Sequence, residues 1–107
     1  MKRGEIWWVS FDPAVGTEIR KTRPAVIVSN DSANEFLARV VVVPLTSNTS
    51  RVYPGECLVD TGERQGKVMC DQIQAVDKQR LLNQMGCLSG KDMAAVDEAL
   101  KLHLALA

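Results

Sequence analysis

The sequence predicts a mainly β protein: a small barrel of five or six strands followed by one C-terminal helix. Two observations carry this expectation. Short runs of β-branched and aromatic residues, each bounded by Gly, Pro, Asn or Asp, recur from Glu5 to Leu88. Only the segment after Ser89 changes to helical spacing, with Met93, Val96, Leu100 and Leu104 three or four residues apart. A chain of 107 residues has room for one hydrophobic core, so residues 1–107 are expected to form a single domain.

Taken in order, Glu5 to Ser10 (EIWWVS) reads as the first strand, and Phe11-Asp12-Pro13 stops it. A loop through Gly16 runs to Thr22. Pro24 then opens the apolar run Ala25 to Val28, the pattern of a strand buried on both faces. Asn30-Asp31-Ser32 is a turn that can cap a short helix through Phe36. Arg39 to Thr46 (RVVVVPLT) is the strongest strand signal, and Pro44 inside it suggests an edge or a bulge. Ser47 to Tyr53 is a polar loop closed by Pro54-Gly55. Glu56–Asp60 and Lys67–Gln74 are expected as two strands of a hairpin joined by Thr61 to Gly66. Asp77 to Leu82 suggests a helical turn, and Met85 to Leu88 a short last strand. Ser89 is placed to cap the final helix, with Asp92 in its first turn, where a carboxylate suits the helix dipole. Five or six strands and one helix suit an SH3-like barrel.

Composition narrows the classes. Hydrophobic residues make up 46% and charged residues 24%, which argues against a disordered chain. The apolar run Val40–Leu45 is too short to span a bilayer, and the N-terminus has no signal-like apolar region, so the expected compartment is the cytoplasm with no membrane partner. Cys57, Cys70 and Cys87 form no CxxC pair and have no nearby histidine, which predicts reduced core thiols and no metal site. Lys plus Arg and Asp plus Glu are both 13. Nucleic-acid binding by bulk positive charge is therefore excluded, and any such role must rest on a local patch.

The polar chemistry converges on two strand ends. If the strand beginning near Arg23 and the strand ending at Thr46 are antiparallel neighbours, a guanidinium and a hydroxyl meet at the barrel mouth. Arg20, Lys21 and Arg23 form the only dense basic cluster. Such a cluster is either a solvated loop or a phosphate seat, for which Arg offers a planar, permanently charged fork. Asp71-Gln72 can approach the same mouth, walled by the loops 16–22 and 47–53. His103 is the sole histidine and sits among leucines of the C-terminal helix, so histidine-pair acid–base chemistry cannot be built. Trp7 and Trp8 point to opposite faces of their strand, so at least one belongs to the core or to a subunit contact.

Several ordered motifs carry a resemblance over essentially the whole chain. Lys2-Arg3-Gly4-Glu5-Ile6-Trp7, Asp12-Pro13, Gly16-Thr17-Glu18 and the run Thr22 to Asp31 come first. Val43-Pro44-Leu45-Thr46-Ser47, Asp71-Gln72-Ile73, Asp77 to Leu81 and Asp97-Glu98-Ala99-Leu100 follow in order. In these the chain resembles the MazF/PemK/Kid toxin family. The resemblance implies a CcdB-like barrel and a homodimeric, metal-independent, cofactor-free endoribonuclease of a bacterial toxin–antitoxin pair. It implies cleavage of single-stranded RNA, chiefly mRNA, to 2′,3′-cyclic phosphate and 5′-hydroxyl ends, and neutralisation by an antitoxin with an acidic, flexible segment. By position, Arg23 and Thr46 match the family's catalytic pair. Asp71 and Gln72 match an acidic-Gln pair lining the site, and Gly16, Thr17, Glu18, Lys21 and Ser47 fall on its substrate-binding loops. Some Kid-branch members carry an arginine two residues before the acid and a histidine in the first loop; here Met69 stands at the first place and the loop has no histidine. Asp71 is then a candidate general base. Two other readings compete: a gyrase-inhibiting toxin of the CcdB type, and a non-catalytic SH3-like binding module.

Overall fold

The computed structural model describes residues 1–107. Its elements are β1 (Glu5–Ser10), β2 (Thr22–Ile27), α1 (Asp31–Phe36), β3 (Arg39–Thr46), β4 (Glu56–Asp60), β5 (Gln65–Met69), a 3-10 turn (Cys70–Gln72), β6 (Gln74–Asp77), a second 3-10 turn (Lys78–Arg80), β7 (Leu81–Cys87) and α2 (Gly90–His103). The protein is mainly β with a C-terminal helix, as the sequence predicts, but it has seven strands instead of five or six. All pairings are antiparallel. The strand order is β4-β5-β3-β2-β1-β7, with β6 also paired to β3. The end strands β4 and β7 do not pair, so the barrel stays open. They come close nonetheless: a Cβ on Gly86 of β7 would stand 3.7 Å from the Thr61 carbonyl oxygen just past β4.

Period-two alternation divides the apolar residues between two clusters. Val26, Val43, Leu45 and Val68 pack inward with Ile6 and, from α2, Val96, Ala99 and Leu100. Ala25, Ile27, Val40 and Val42 point the other way, onto Val9, Val76 and Leu81. This is why β2 and β3 read as unbroken apolar runs. Burying each Val, Ile or Leu side chain is worth about 1.5–3 kcal/mol, and α2 supplies the inner cluster's lid. Ser89 caps it through its Oγ, which accepts from the Asp92 amide at 3.1 Å. The last member of the apolar stripe, Leu104, leaves the core and is 45% exposed.

Two expectations about β3 and its neighbour need correction. Lys67 to Gln74 is not one strand, and β3 is not an edge. Leu45 faces Val68 and Val42 faces Gln74, so three steps along β3 oppose six along the facing chain. The 3-10 turn takes up the surplus, and it lies across from Pro44. The Val41 carbonyl accepts from the Val28 amide on the β2 side at 2.9 Å. Alternation then turns residue 44 toward the β5–β6 side, where proline has no N–H to donate. The proline thus sits where β3 changes partner, inside a central strand. β7 also starts earlier than Met85, because β1 pairs with it as far as Val9 opposite Leu81.

The N-terminus is tied in at several points. The Arg3 amide donates to Asp31 Oδ1 at 2.7 Å, its Nε donates to the Val28 carbonyl at 2.9 Å, and its guanidinium pairs with Asp97 of α2.

The cysteines differ from the uniform core expected. Cys70 is fully buried, Cys57 partly so, and Cys87 is exposed at the end of β7. Burial pushes the Cys70 thiol up to about 12 and raises that of Cys57, so both are poor nucleophiles near neutrality. Thiol titration of the folded protein at pH 8 is expected to show Cys87 reacting fast and Cys70 only after denaturation. Equal labelling of the two in the native state would contradict this packing.

Candidate active site

Ala25, Val26 and Ile27 pair with Pro44, Val43 and Val42. Arg23 lies two residues before this ladder on β2 and Thr46 two residues beyond it on β3, which puts both at the same end of the sheet. The two residues share the rim of a cavity of about 180 Å³, together with Thr22 and Ser47. Trp8, Pro24, Leu45 and Met85 supply its apolar lining, and the β4–β5 hairpin supplies the opposite wall through Thr61, Glu63, Arg64, Gln65 and Gly66. Gly66 permits the close approach: a Cβ there would lie 3.4 Å from Leu45 Cδ2 and 3.6 Å from the Thr46 carbonyl oxygen.

The rim carries a free cation and a hydroxyl donor. Arg23 Nε donates to the Arg20 carbonyl at 3.2 Å, which orients the guanidinium. The ion pairs of the chain are those of the N-terminus with Glu5, Arg3 with Asp97, Lys67 with Glu56 and Lys101 with Glu98, and Arg23 enters none. Its charge is uncompensated, and its terminal nitrogens have no protein acceptor. Thr46 Oγ1 accepts from the Asn48 amide at 3.2 Å, which leaves the hydroxyl proton to donate. A forked cation and a neutral donor on one rim can together hold the non-bridging oxygens of a phosphate.

The other residues singled out in the sequence lie elsewhere. Gly16, Thr17, Glu18, Lys21, Asp71 and Gln72 do not line this cavity. The carbonyl of Gly16 accepts from Arg20 Nη2 at 2.6 Å, and Glu18 Oε1 accepts from the Val15 amide at 2.7 Å. Lys21 has a positive φ of 65°; its amide donates to Asp12 Oδ1 at 3.1 Å and its carbonyl accepts from Phe11 at 2.9 Å. That bend delivers the chain into β2. Gln72, re-aimed by the 3-10 turn, holds the same loop: its Oε1 accepts from the Ile19 amide at 3.1 Å and its Nε2 donates to the Thr17 carbonyl at 3.4 Å. Asp71 is exposed beside it. His103 sits at the end of α2 against Gly55, whose added Cβ would be 3.5 Å from the histidine Cβ. Trp7 and Trp8 divide as alternation requires: Trp7 donates to Glu5 Oε1 at 2.9 Å and packs on the second cluster, while Trp8 lines the cavity.

Sequence reasoning missed the hairpin wall. Its glycines and polar filling signal a turn, and nothing local signals that this turn folds back over Thr46. No three His, Cys, Asp or Glu side chains are grouped to hold a metal ion, and no helix is long and apolar enough to cross a membrane.

The fold is found in solved structures. An endoribonuclease in complex with its cognate antitoxin, from a mycobacterial species, superposes with a TM-score of 0.84 at 27% identity over 100% of this chain and 97% of that one. MazF from Deinococcus radiodurans superposes at 0.87, with 26% identity over 98% and 96% of the two chains. The fold defines a small toxin-type barrel with a cavity at its mouth lined by Arg23 and Thr46. Residues 2–104 match the model of the PemK-like, MazF-like toxins of type II toxin–antitoxin systems, and the chain belongs to that family. It is 45% identical over 115 aligned positions to endoribonuclease MazF9 of Mycobacterium tuberculosis, covering 99% of this chain and 98% of that protein. It is 32% identical to endoribonuclease EndoA of Bacillus subtilis, over 99% and 96% of the two.

Gln72→Ala removes both bonds to the first loop, each worth about 1 kcal/mol. Faster amide exchange at Thr17–Ile19, with exchange in β3 unchanged, is the expected result; unchanged exchange at Ile19 would show that the loop is held by something else.

Proposed function

We propose that this toxin is an endoribonuclease that cuts single-stranded RNA at the rim formed by Arg23 and Thr46. The observation that carries the reading is that Arg23, which enters no ion pair, and Thr46 line one cavity at the same end of the sheet. Membership of the toxin family, and 45% identity to a relative named as an endoribonuclease, support it.

In the reaction, the ribose 2′-oxygen attacks its own phosphorus in line. The bond from phosphorus to the 5′-oxygen breaks, leaving a 2′,3′-cyclic phosphate and a 5′-hydroxyl. The 2′-OH gives its proton to water and the leaving oxygen takes one from water, so the step is neutral in protons. Arg23 carries a delocalised guanidinium charge that persists throughout. It neutralises the oxygens of the phosphorane and is placed to give a hydrogen bond to the leaving oxygen. Thr46 donates to a non-bridging oxygen and fixes the phosphate against the Arg23 fork. Both interactions strengthen as charge develops, which is where preorganised donors accelerate a reaction most. Asp71 lies off the rim and is given no proton-transfer role. Ser47, at the start of the second loop, borders the bound strand, while Gly16, Thr17, Glu18 and Lys21 contact RNA beyond the cut, with Gln72 bracing their loop.

The chain acts as one unit from residue 1 to 107, in the cytoplasm, as a homodimer. A cognate antitoxin silences it by laying an acidic, flexible segment where RNA would bind, since the anion seat that takes phosphate also takes carboxylate. The family match supports neither gyrase inhibition nor a passive binding module.

Arg23→Ala and Thr46→Ala, folded as judged by circular dichroism, are each expected to lower kcat by about 10²–10³. Full activity in both would overturn the assignment. An oligonucleotide with a single 2′-deoxy sugar at the cut is expected to resist cleavage, and excess chelator to leave the rate unchanged. Cleavage of the deoxy substrate would rule out attack by the 2′-oxygen, and loss of activity in chelator would rule out a metal-free cut.

A further inference from the structure

Lys67 is nearly as buried as the core, at 8% exposure, yet it is a lysine. It lies on β5 in register with Thr46. Its ammonium sits 3.2 Å from Glu56 Oε1 on β4 and donates to the Arg51 carbonyl at 2.9 Å. The same Glu56 oxygen accepts from the Tyr53 amide at 2.8 Å, and the ammonium stands 6.0 Å from the centre of the Tyr53 ring. Two side chains rooted in the β4–β5 hairpin thus grip Arg51 and Tyr53, which belong to the connection from β3 to β4. That connection begins at Ser47, on the cavity rim. Its first half is held only by local bonds, Asn48 amide to Thr46 Oγ1 at 3.2 Å and Ser50 amide to Asn48 Oδ1 at 3.2 Å.

Stability alone does not account for such a pair. Removing two charges from water is costly, and apolar residues of similar volume commonly serve as well or better. What the ion pair adds is direction: it fixes where a polar loop stands relative to the strand that carries Thr46.

We propose that Lys67 and Glu56 form a clasp that positions the 47–54 loop over the Arg23–Thr46 rim and so determines which RNA bases are accepted beside the cut. The inference rests on the reading of that rim as the RNA-cleaving site. Both are positioning residues; neither touches the reacting atoms. Loosening the clasp weakens binding of the preferred sequence and broadens site choice, while the chemistry at the phosphate proceeds.

Four variants test this, with Arg23→Ala as the reference for the rim itself. Lys67→Met replaces the ammonium by an apolar side chain of similar length, and Glu56→Gln keeps the shape of its partner. Lys67→Arg restores a charged donor that reaches both Glu56 and the Arg51 carbonyl. Cleavage sites on a long RNA are mapped by primer extension, kcat and KM are measured on one oligonucleotide, and amide exchange is followed for residues 47–54. Lys67→Met is expected to raise KM about tenfold, the cost of losing a charged hydrogen bond, with kcat close to wild type. It should add cleavage sites and speed exchange at Tyr53, and Lys67→Arg should recover most of the wild-type pattern. If thermal melting shows Lys67→Met unfolded, Glu56→Gln carries the same expectations. Unchanged KM, site choice and loop exchange in a folded variant overturn the clasp, as does a loss of kcat with KM unchanged. Full activity of Arg23→Ala overturns the rim assignment instead, and amide exchange still reports on the clasp.

Discussion

The architecture of the mouth depends on β3 having one partner on one side and two on the other. Pro44 imposes the division. With no N–H to offer toward β5 and β6, it marks the place where the facing chain leaves the ladder and returns after a 3-10 turn. Above the break, β5 brings its hairpin against Thr46. Below it, β6 continues the sheet. The turn between them carries Gln72 outward to the first loop. A single missing donor therefore separates three structures around one strand end: the cavity wall, the sheet edge and the brace for the loop that leads into β2.

Much of this was legible before any coordinates. Alternation and turn residues give β1, β3 and β4 at their observed limits, and the place of Ser89 ahead of an amphipathic run gives the start of α2. The meeting of Arg23 and Thr46 followed from assuming that two apolar runs were antiparallel neighbours, which they are. The illegible parts share a cause. The split of Lys67–Gln74, the hairpin wall and the Lys67 clasp all depend on which residues face one another across strands distant in sequence, and periodicity within one strand carries no such information. Lys67 looked like an ordinary strand residue because its partners, Arg51 and Glu56, belong to other elements. Cys87 was misplaced for a related reason, since β7 buries Leu81 and lets its far end run into solvent.

A balanced net charge is compatible with this site. Thirteen positive and thirteen negative side chains cancel, so long-range attraction to a polyanion is weak and recognition falls to short-range geometry. Of the other cations near the mouth, Arg20 is engaged with the Gly16 carbonyl and Lys67 with Glu56, while the Arg64 side chain on the hairpin wall has no protein partner. Arg23 presents its fork on the cavity without an internal counter-ion, as does Arg64 across from it on the hairpin. Selectivity then resides in the shape of the loops and hairpin around those charges.

The two ends of the chain are joined inside the fold. β1 lies between β2 and β7, and Arg3 bonds to Asp97, ninety-four residues later. The cavity draws Trp8 from the first strand and Met85 from the last. A ribosome synthesising this chain therefore releases the first strand long before its second neighbour exists, and the mouth lacks one wall until β7 has emerged. Contacts of such long sequence separation form late in folding. A truncated product ending before β7 lacks both Met85 of the cavity lining and the second neighbour of β1.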